Sequence, residues 1–196
     1  MNFFPLLLFQ CWGVGGGFLR VEEMGVAPIL SAHYLVEIRE NLLIHESVGH
    51  WQKHYEEIEG TRSKECEFSG LSFNETLLFR LNKWKRCNLK GCDLNMSIGA
   101  GPGMGIHLLK NCVKDRMESG GWIITEYYAL NANTIGFHIS MVAEVGFKKF
   151  SISALVRSGI ILINQEGENL FYTNGDIRET SCSICLSFLK PQSSQR

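Results

Sequence analysis

Apolar residues recur at intervals of three and four along the segment from Ser31 to Gly60, with one skip near Ser47-Val48-Gly49. This spacing predicts an amphipathic helix, either continuous or divided in two at the skip. Ser31 can cap this helix and Gly60 can end it. The recurring positions are Leu35, Ile38, Leu42, Val48, Trp51, Tyr55 and Ile58. Similar spacing predicts further helices over residues 71–84, 106–117 and 133–146, the second carried by Ile106, Leu109, Val113 and Met117.

Short apolar runs between these helices predict β-strands at 93–98, 122–130 and 147–156, with an extended run at 159–173 that turns at Glu166-Gly167. From Asp93 onward the order is therefore strand, helix, strand, helix, strand, with short connections. That order indicates an α/β fold with a parallel sheet. We predict a Rossmann-like, partly parallel and incomplete sheet preceded by N-terminal helices. The predicted segments are an apolar stretch at 1–30, a helical segment at 31–90, the Rossmann-like region at 91–190 and a tail at 191–196.

The stretch DLNMSIGAGPGMGIHLLKN, from Asp93 to Asn111, combines a predicted strand, a glycine turn and a predicted helix. Its glycines are Gly99, Gly101, Gly103 and Gly105. Glycine at this density is expected where the backbone turns sharply or comes into contact with another group. In α/β folds the first strand-to-helix turn is a common place for a nucleotide-like cofactor.

This stretch resembles the first motif of class I S-adenosylmethionine-dependent methyltransferases, an apolar strand followed by Gly-x-Gly-x-Gly with proline in the fourth place. The resemblance implies that S-adenosylmethionine is the cofactor. The residues that it places at the cofactor are Gly99, Ala100, Gly101, Pro102, Gly103 and Glu126, the last as acceptor for the ribose hydroxyls. Within that class, the segments LNMSIGAGPG and YLVEIRENLLIHESVGH are similar to the histamine N-methyltransferase family, in a truncated form.

That similarity implies a small-molecule methyl acceptor held by His45, Glu46 and Trp51 in the N-terminal segment. Gly49 stands where the family has an acidic group, so recognition of an amine is not carried over. Methyl transfer depends mainly on positioning the two reactants, and we assign no catalytic residue. About three strands follow Ile98, so the sheet is expected to be incomplete, with reduced or absent turnover.

Three alternatives remain open on the sequence alone. A short-chain dehydrogenase would also use the glycine turn, but the chain has no Tyr-x-x-x-Lys pair. A GNAT-type acetyltransferase using acetyl-CoA would place its pyrophosphate helix at 103–117, although Ala100 stands where Arg or Gln is expected. The third alternative is an interaction protein with no enzymatic activity.

Composition bears on the partners and on the location of the protein. The formal net charge is -1, which argues against a nucleic-acid partner despite the basic run from Arg80 to Lys90. The apolar N-terminus is shorter than a membrane span. It lacks the basic start of a secretory signal. We therefore predict a cytoplasmic protein with no membrane partner, and secretion is the alternative.

Metal binding is not predicted. His50 and His54 have a zinc-like spacing but lack the glutamate of a zincin motif, and the pair Cys182 and Cys185 has no second pair at a matching distance.

Overall fold

The protein folds as one closed antiparallel barrel of eight strands, described here from a computed structural model. The structure describes residues 9–22, 25–39, 41–89, 92–147, 150–163 and 176–189. The strands are β1 (Phe9–Val21), β2 (Gly25–Arg39), β3 (Leu42–Glu59), β4 (Arg62–Leu89), β5 (Cys92–Ser119), β6 (Trp122–Gly146), β7 (Phe150–Leu162) and β8 (Ile177–Leu189). Each strand pairs with its neighbours in sequence, and β1 pairs with β8 to close the ring.

The register of the ladders determines how far the strands tilt. A path of directly paired residues around the ring starts at Met96 on β5 and returns to the same strand at Ile106, ten positions further on. With a rise of about 3.3 Å per residue and strands about 4.8 Å apart, this offset corresponds to a tilt of roughly 40°. Each residue along a strand therefore adds about 2.5 Å of height along the barrel axis.

Four strands are longer than the barrel wall needs. Within the part of the chain that the structure describes, residues 122–134 of β6 pair only with β5. Residues 52–59 of β3 likewise pair only with β4. These extensions form the protruding sheet, defined as Gln52–Glu59, Arg62–Ser69, Lys110–Ser119 and Trp122–Thr134. It rises roughly 20 to 30 Å above one rim of the barrel. We call this rim the upper end of the barrel. Gly120 and Gly121 make its highest turn with φ of 58° and 83°, values that favour glycine.

Side chains alternate between the outside and the inside of the barrel because successive residues of a strand point to opposite faces. The outward positions are mostly large and apolar, whereas many inward positions are serine, threonine, asparagine, histidine or glycine. This arrangement is the inverse of a water-soluble barrel.

Two apolar clusters fill the interior at different heights. The lower cluster contains Cys11, Leu35, Leu43 and Leu78. The upper cluster contains Leu19, Val21, Ala27, Trp51, Cys66, Phe68, Leu109, Val113, Ala132 and Ile177. The polar inward residues lie mainly between the two clusters, so apolar side chains close the interior above and below them.

The strands that close the ring approach each other at small residues. Gly13 and Gly17 on β1 lie opposite Ser187 and Ser183 on β8. A Cβ at Gly17 would overlap the carbonyl group of Cys182 and would lie 2.6 Å from the Cα of Ser183. Glycine is required at this seam because the β8 backbone occupies the space that a side chain would need.

The predicted α/β fold is therefore wrong, and so is its parallel sheet. Residues 31–39, 42–59, 71–84, 106–117 and 133–146 lie in strands, where helices were predicted. Across the described ranges, no helix is long and apolar enough to cross a membrane. Residues 1–8 and the predicted tail at 191–196 lie outside the described residues, as does the turn predicted at Glu166-Gly167.

Candidate functional site

An apolar belt surrounds the barrel below the protruding sheet. Its height, taken between Phe150 on β7 and Leu162 at the other end of the same strand, is about 30 Å along the axis. Exposed members include Trp12, Val14, Phe18, Leu30, Phe73, Met104, Ile106, Phe137, Ile139, Met141, Ile152, Val156, Ile184 and Leu186. Side chains of this size around a whole barrel would be costly in water, because monomeric soluble proteins rarely expose apolar patches above a few hundred Å².

Aromatic residues form two rings within this belt. The register places Phe18, Phe73 and Phe137, on three different strands, at the same height within about 2 Å. Roughly 16 Å below them lies a second ring that contains Trp12, Phe79 and Phe188. The rings of Trp12 and Phe188 are in contact, with centroids 5.2 Å apart. Paired aromatic girdles around an apolar band are typical of transmembrane barrels.

One polar feature interrupts the belt near its mid-height. Glu46 on β3 and Glu75 on β4 are direct ladder partners, and both point outward. They line a groove of about 510 Å³ on the outer wall, whose other outward-facing residues include Tyr34, Val48 and Met104. Two like charges directly opposite each other on one face of a sheet destabilise it.

The lumen between the two apolar clusters is polar. Its buried hydrogen bonds join side chains from different strands: His33 Nε2 with Ser187 Oγ at 2.8 Å, Ser72 Oγ with His107 Nδ1 at 3.0 Å, and Thr76 Oγ1 with His138 Nε2 at 2.9 Å. The rings of His33 and His45 also approach, with centroids 5.7 Å apart. Through the interior, these hydrogen bonds join β2 to β8, β4 to β5 and β4 to β6.

Inward glycines make room for these imidazoles on neighbouring strands. A Cβ at Gly103 would overlap the ring of His138, its direct ladder partner on β6. A Cβ at Gly136 would lie 2.6 Å from His107 Nε2. The glycines that suggested a cofactor turn therefore lie inside a continuous strand. Gly103 leaves room for a side chain of the lumen, whereas a Cβ at Gly101 would overlap the backbone carbonyl of Leu77.

Arg157 is a buried cation in this polar layer. Its Nη2 donates a hydrogen bond to Ser47 Oγ at 3.1 Å. Its Nε has no hydrogen-bond partner among the described residues. Arg157 also lines a cavity of about 20 Å³, enough for one water molecule. Glu179, two residues from the ladder partner of Arg157 on the same face of β8, is buried and interacts electrostatically with it.

Ion pairs join the strands of the protruding sheet on both of its faces. Arg62 donates hydrogen bonds to both carboxylate oxygens of Asp115, including one of 2.8 Å from Nε to Oδ1. Hydrogen bonding to the Arg62 guanidinium lowers the pKa of Asp115, and Asp115 in turn raises the pKa of Arg62. On the other face, Lys114 Nζ lies 3.1 Å from both carboxylate oxygens of Glu65.

The residues predicted to form a site are not brought together. Gly99 to Gly103 lie in the middle of β5, where Gly99 pairs with Val142, whereas Glu126 pairs with Asp115 near the tip of the protruding sheet. Glu126 therefore does not share an end of a parallel sheet with the glycines. His45 and Glu46 point to opposite faces of β3, and Trp51 belongs to the upper cluster. No observation tests the cofactor assignment itself, and S-adenosylmethionine binding stays a prediction.

The paired histidines and cysteines are also separated. His50 and His54 share the outward face of β3, while Cys182 points outward and Cys185 inward. Within the described ranges, no group of three or more His, Cys, Asp or Glu side chains could hold a metal ion.

The sequence carried a signal for this architecture near its C-terminus. In the stretch from Ser181 to Phe188, small and polar residues alternate with larger ones, and the structure points Ser181, Ser183, Cys185 and Ser187 inward. This two-residue period indicates a strand with one apolar and one polar face. The sequence prediction did not use it.

Comparison with known proteins finds no matching family model and no matching curated protein. Among solved structures, Ail of Yersinia pestis bound to the heparin analogue sucrose octasulfate is 14% identical, with 93% of this chain and 98% of that chain covered and a TM-score of 0.46. Neisserial surface protein A is 12% identical, with 92% and 96% covered and a TM-score of 0.48. The N-terminal β-barrel domain of Pseudomonas aeruginosa OprF is 9% identical, with 92% and 97% covered and a TM-score of 0.40.

Several functional predictions are overturned together with the fold. A class I methyltransferase, its histamine N-methyltransferase-like form and the acetyltransferase alternative all require α/β architectures, whereas the protein is an antiparallel barrel. The predicted cytoplasmic location and the predicted absence of a membrane partner are wrong because the barrel presents a predominantly apolar belt on its outside.

Proposed function

We propose that this protein spans an outer membrane as a closed β-barrel and anchors the protruding sheet above the bilayer as a surface for binding other macromolecules. The observation that carries this proposal is the inverted wall, with large apolar residues outside and polar residues inside. The belt is about as tall as the hydrocarbon core of a bilayer, about 30 Å. A closed barrel also leaves no unpaired strand edge in the lipid.

The lumen supports an anchoring role better than a conducting one. The upper and lower clusters fill the interior on both sides of the polar layer. The cavity beside Arg157 is only about 20 Å³, far below the volume of a water-filled channel. We therefore expect the barrel to be closed to ions and the binding function to reside in the protruding sheet.

A matched pair of lysine substitutions tests the membrane assignment. Ile139 lies at mid-height in the belt and is 65% exposed, whereas Ile58 lies on the protruding sheet and is 69% exposed. Ile139→Lys should destabilise the protein in lipid vesicles by about 2 to 4 kcal/mol, because a charge would face the bilayer midplane. Ile58→Lys should change stability by no more than about 0.5 kcal/mol.

Urea titration of the vesicle-reconstituted protein, followed by electrophoretic mobility without heating, measures both effects. Equal effects of the two lysines would show that the belt does not face lipid. Planar-bilayer recording of the parent protein tests the closed lumen, and a steady open conductance would contradict an anchoring role.

A further inference from the structure

Among the residues that the structure describes, the protruding sheet has two edges, and these differ strongly in charge. At one edge, Gln52–Glu59 contains four charged residues among eight: Lys53, Glu56, Glu57 and Glu59. At the other edge, Trp122–Thr134 contains one, Glu126, among thirteen residues. Natural proteins often place charged residues or proline on edge strands, which prevents pairing with other chains. Glu126 is the one such residue in Trp122–Thr134.

Large apolar and aromatic side chains flank the β6 edge on both faces of the sheet. Trp122 is 78% exposed, and Ile123 and Tyr127, on the opposite face from Trp122, are 57% and 74% exposed. A groove of about 500 Å³ reaches this edge between Tyr127, Ala129 and Lys114. An added strand would therefore find side-chain contacts on both faces as well as backbone hydrogen bonds.

From these features we propose that the β6 edge binds an extended segment of a partner protein by antiparallel strand addition, with a lysine or arginine of that segment opposite Glu126. The proposal rests on the proposed function because it assumes that the protruding sheet is presented in water. Asp115, the ladder partner of Glu126, is already bound by Arg62. The exposed carboxylate of Glu126 is consequently the charge that an incoming strand meets.

A second copy of this protein fits the edge less well than an unanchored partner. Two copies in one membrane have the same end up, and each strand tilts by roughly 40°. Facing β6 strands would then cross at a large angle, so they could not align as a ladder. A segment of another protein can instead approach in the antiparallel direction, which is the more stable pairing.

Peptide binding to the full chain in lipid nanodiscs tests the proposal. The probe is a fluorescein-labelled peptide of alternating threonine and valine with a central arginine, and its matched control carries a central glutamate. We expect saturable binding of the arginine peptide that is at least about tenfold tighter than binding of the glutamate peptide. In Glu126→Gln, this preference should fall to about twofold or less.

Two charge-adding variants locate the binding edge. The double variant Ile123→Lys and Tyr127→Lys should weaken binding of the arginine peptide by at least about tenfold, whereas Ile58→Lys on the β3 edge should leave it within about twofold. Hydrogen exchange should show new protection of the Trp122–Thr134 amides when peptide is added. Electrophoretic mobility without heating confirms that each variant is folded.

Four results would overturn the proposal. These are the absence of saturable binding, equal loss of binding in Ile58→Lys, full protection of the β6 edge before peptide is added, and a stable dimer that the β6 lysines dissociate. The third result would show that the edge is already paired in the isolated protein, and the fourth that a second copy occupies it. None of them changes the comparison of Ile139→Lys with Ile58→Lys, so failure of this proposal is distinguishable from failure of the membrane assignment.

Discussion

Gly103 on β5 lies directly opposite His138 on β6, and the absence of a side chain at Gly103 leaves the space that the imidazole occupies. Thr76, the ladder partner of Gly103 on β4, is hydrogen-bonded to the same ring at 2.9 Å, so the imidazole crosses over Gly103. The most conspicuous motif in the sequence therefore accommodates the protein's own side chains. Its glycines follow from the close packing of a narrow lumen in an eight-stranded barrel.

Gly103→Ala should destabilise the barrel by about 1 to 3 kcal/mol, because its methyl group would overlap His138 and the carbonyl of Glu75. Gly16→Ala is the matched control, since a Cβ there meets nothing closer than Leu30 Cδ2 at 3.7 Å. Urea titration in vesicles measures both variants. Equal free energies of unfolding for the two variants would show that the lumen accommodates an added methyl group without strain.

Glu75→Gln should stabilise the membrane-embedded protein by about 1 kcal/mol, since it removes one of two like charges that face each other on the apolar belt. Glu67→Gln on the protruding sheet is the control for loss of a carboxylate outside the belt. The urea midpoint in vesicles provides the comparison. A loss of stability in Glu75→Gln would instead indicate that a cationic group holds the two carboxylates together.

Arg157→Met should cost about 3 to 5 kcal/mol because it leaves Glu179 buried without its countercharge. Adding Glu179→Gln should restore most of this stability, because the uncompensated charge is then removed as well. Unfolding of the single and double variants in urea completes a double-mutant cycle. Purely additive effects would show that the two groups are not coupled.

Acid should loosen the protruding sheet before it unfolds the barrel. The pKa of Asp115 is lowered in the folded protein, so its ion pair contributes stability above the unfolded pKa of about 3.9 and loses that contribution as the pH falls through the lower, folded value. Hydrogen exchange of residues 110–119 from pH 6 to pH 2 should reveal increased opening at the acid end.

The variant Asp115→Asn provides the matched control, since it has no carboxylate to protonate at this position. Its exchange in the protruding sheet should be faster near neutral pH and should change less between pH 6 and pH 2. An identical pH dependence in the two proteins would assign the opening to other groups.

Some extended segments were predicted correctly from the sequence. Helices were also predicted because of the way in which apolar residues are distributed along the strands. Residues 93–98 and 122–130 are in strands, as predicted, although their partners are antiparallel. Ile106 faces the belt, while Leu109 and Val113 face the upper cluster. Apolar residues on both faces of one strand produced spacings of three and four that imitate a helix.

The candidate site was harder to predict from the sequence than the strands were. The glycine spacing on β5 matches a cofactor motif, yet the same glycines adjoin groups of the neighbouring strands, such as the His138 ring at Gly103 and the Leu77 carbonyl at Gly101. The exposed β6 edge depends on where β7 stops pairing, at Ile135 with Leu162. A single sequence does not show that difference in strand length, because it arises from pairing between segments.

The small-residue seam between β1 and β8 has a consequence for how the protein folds. Gly13 and Ser187 are paired although almost the whole chain separates them, so the last ladder joins the first strand to the last. Contacts between such distant segments form slowly, and an open barrel would leave unpaired backbone groups in lipid. We therefore expect insertion and ring closure to occur in one concerted, rate-limiting step, and bulky substitutions at Gly13 or Gly17 to slow assembly more than they accelerate unfolding.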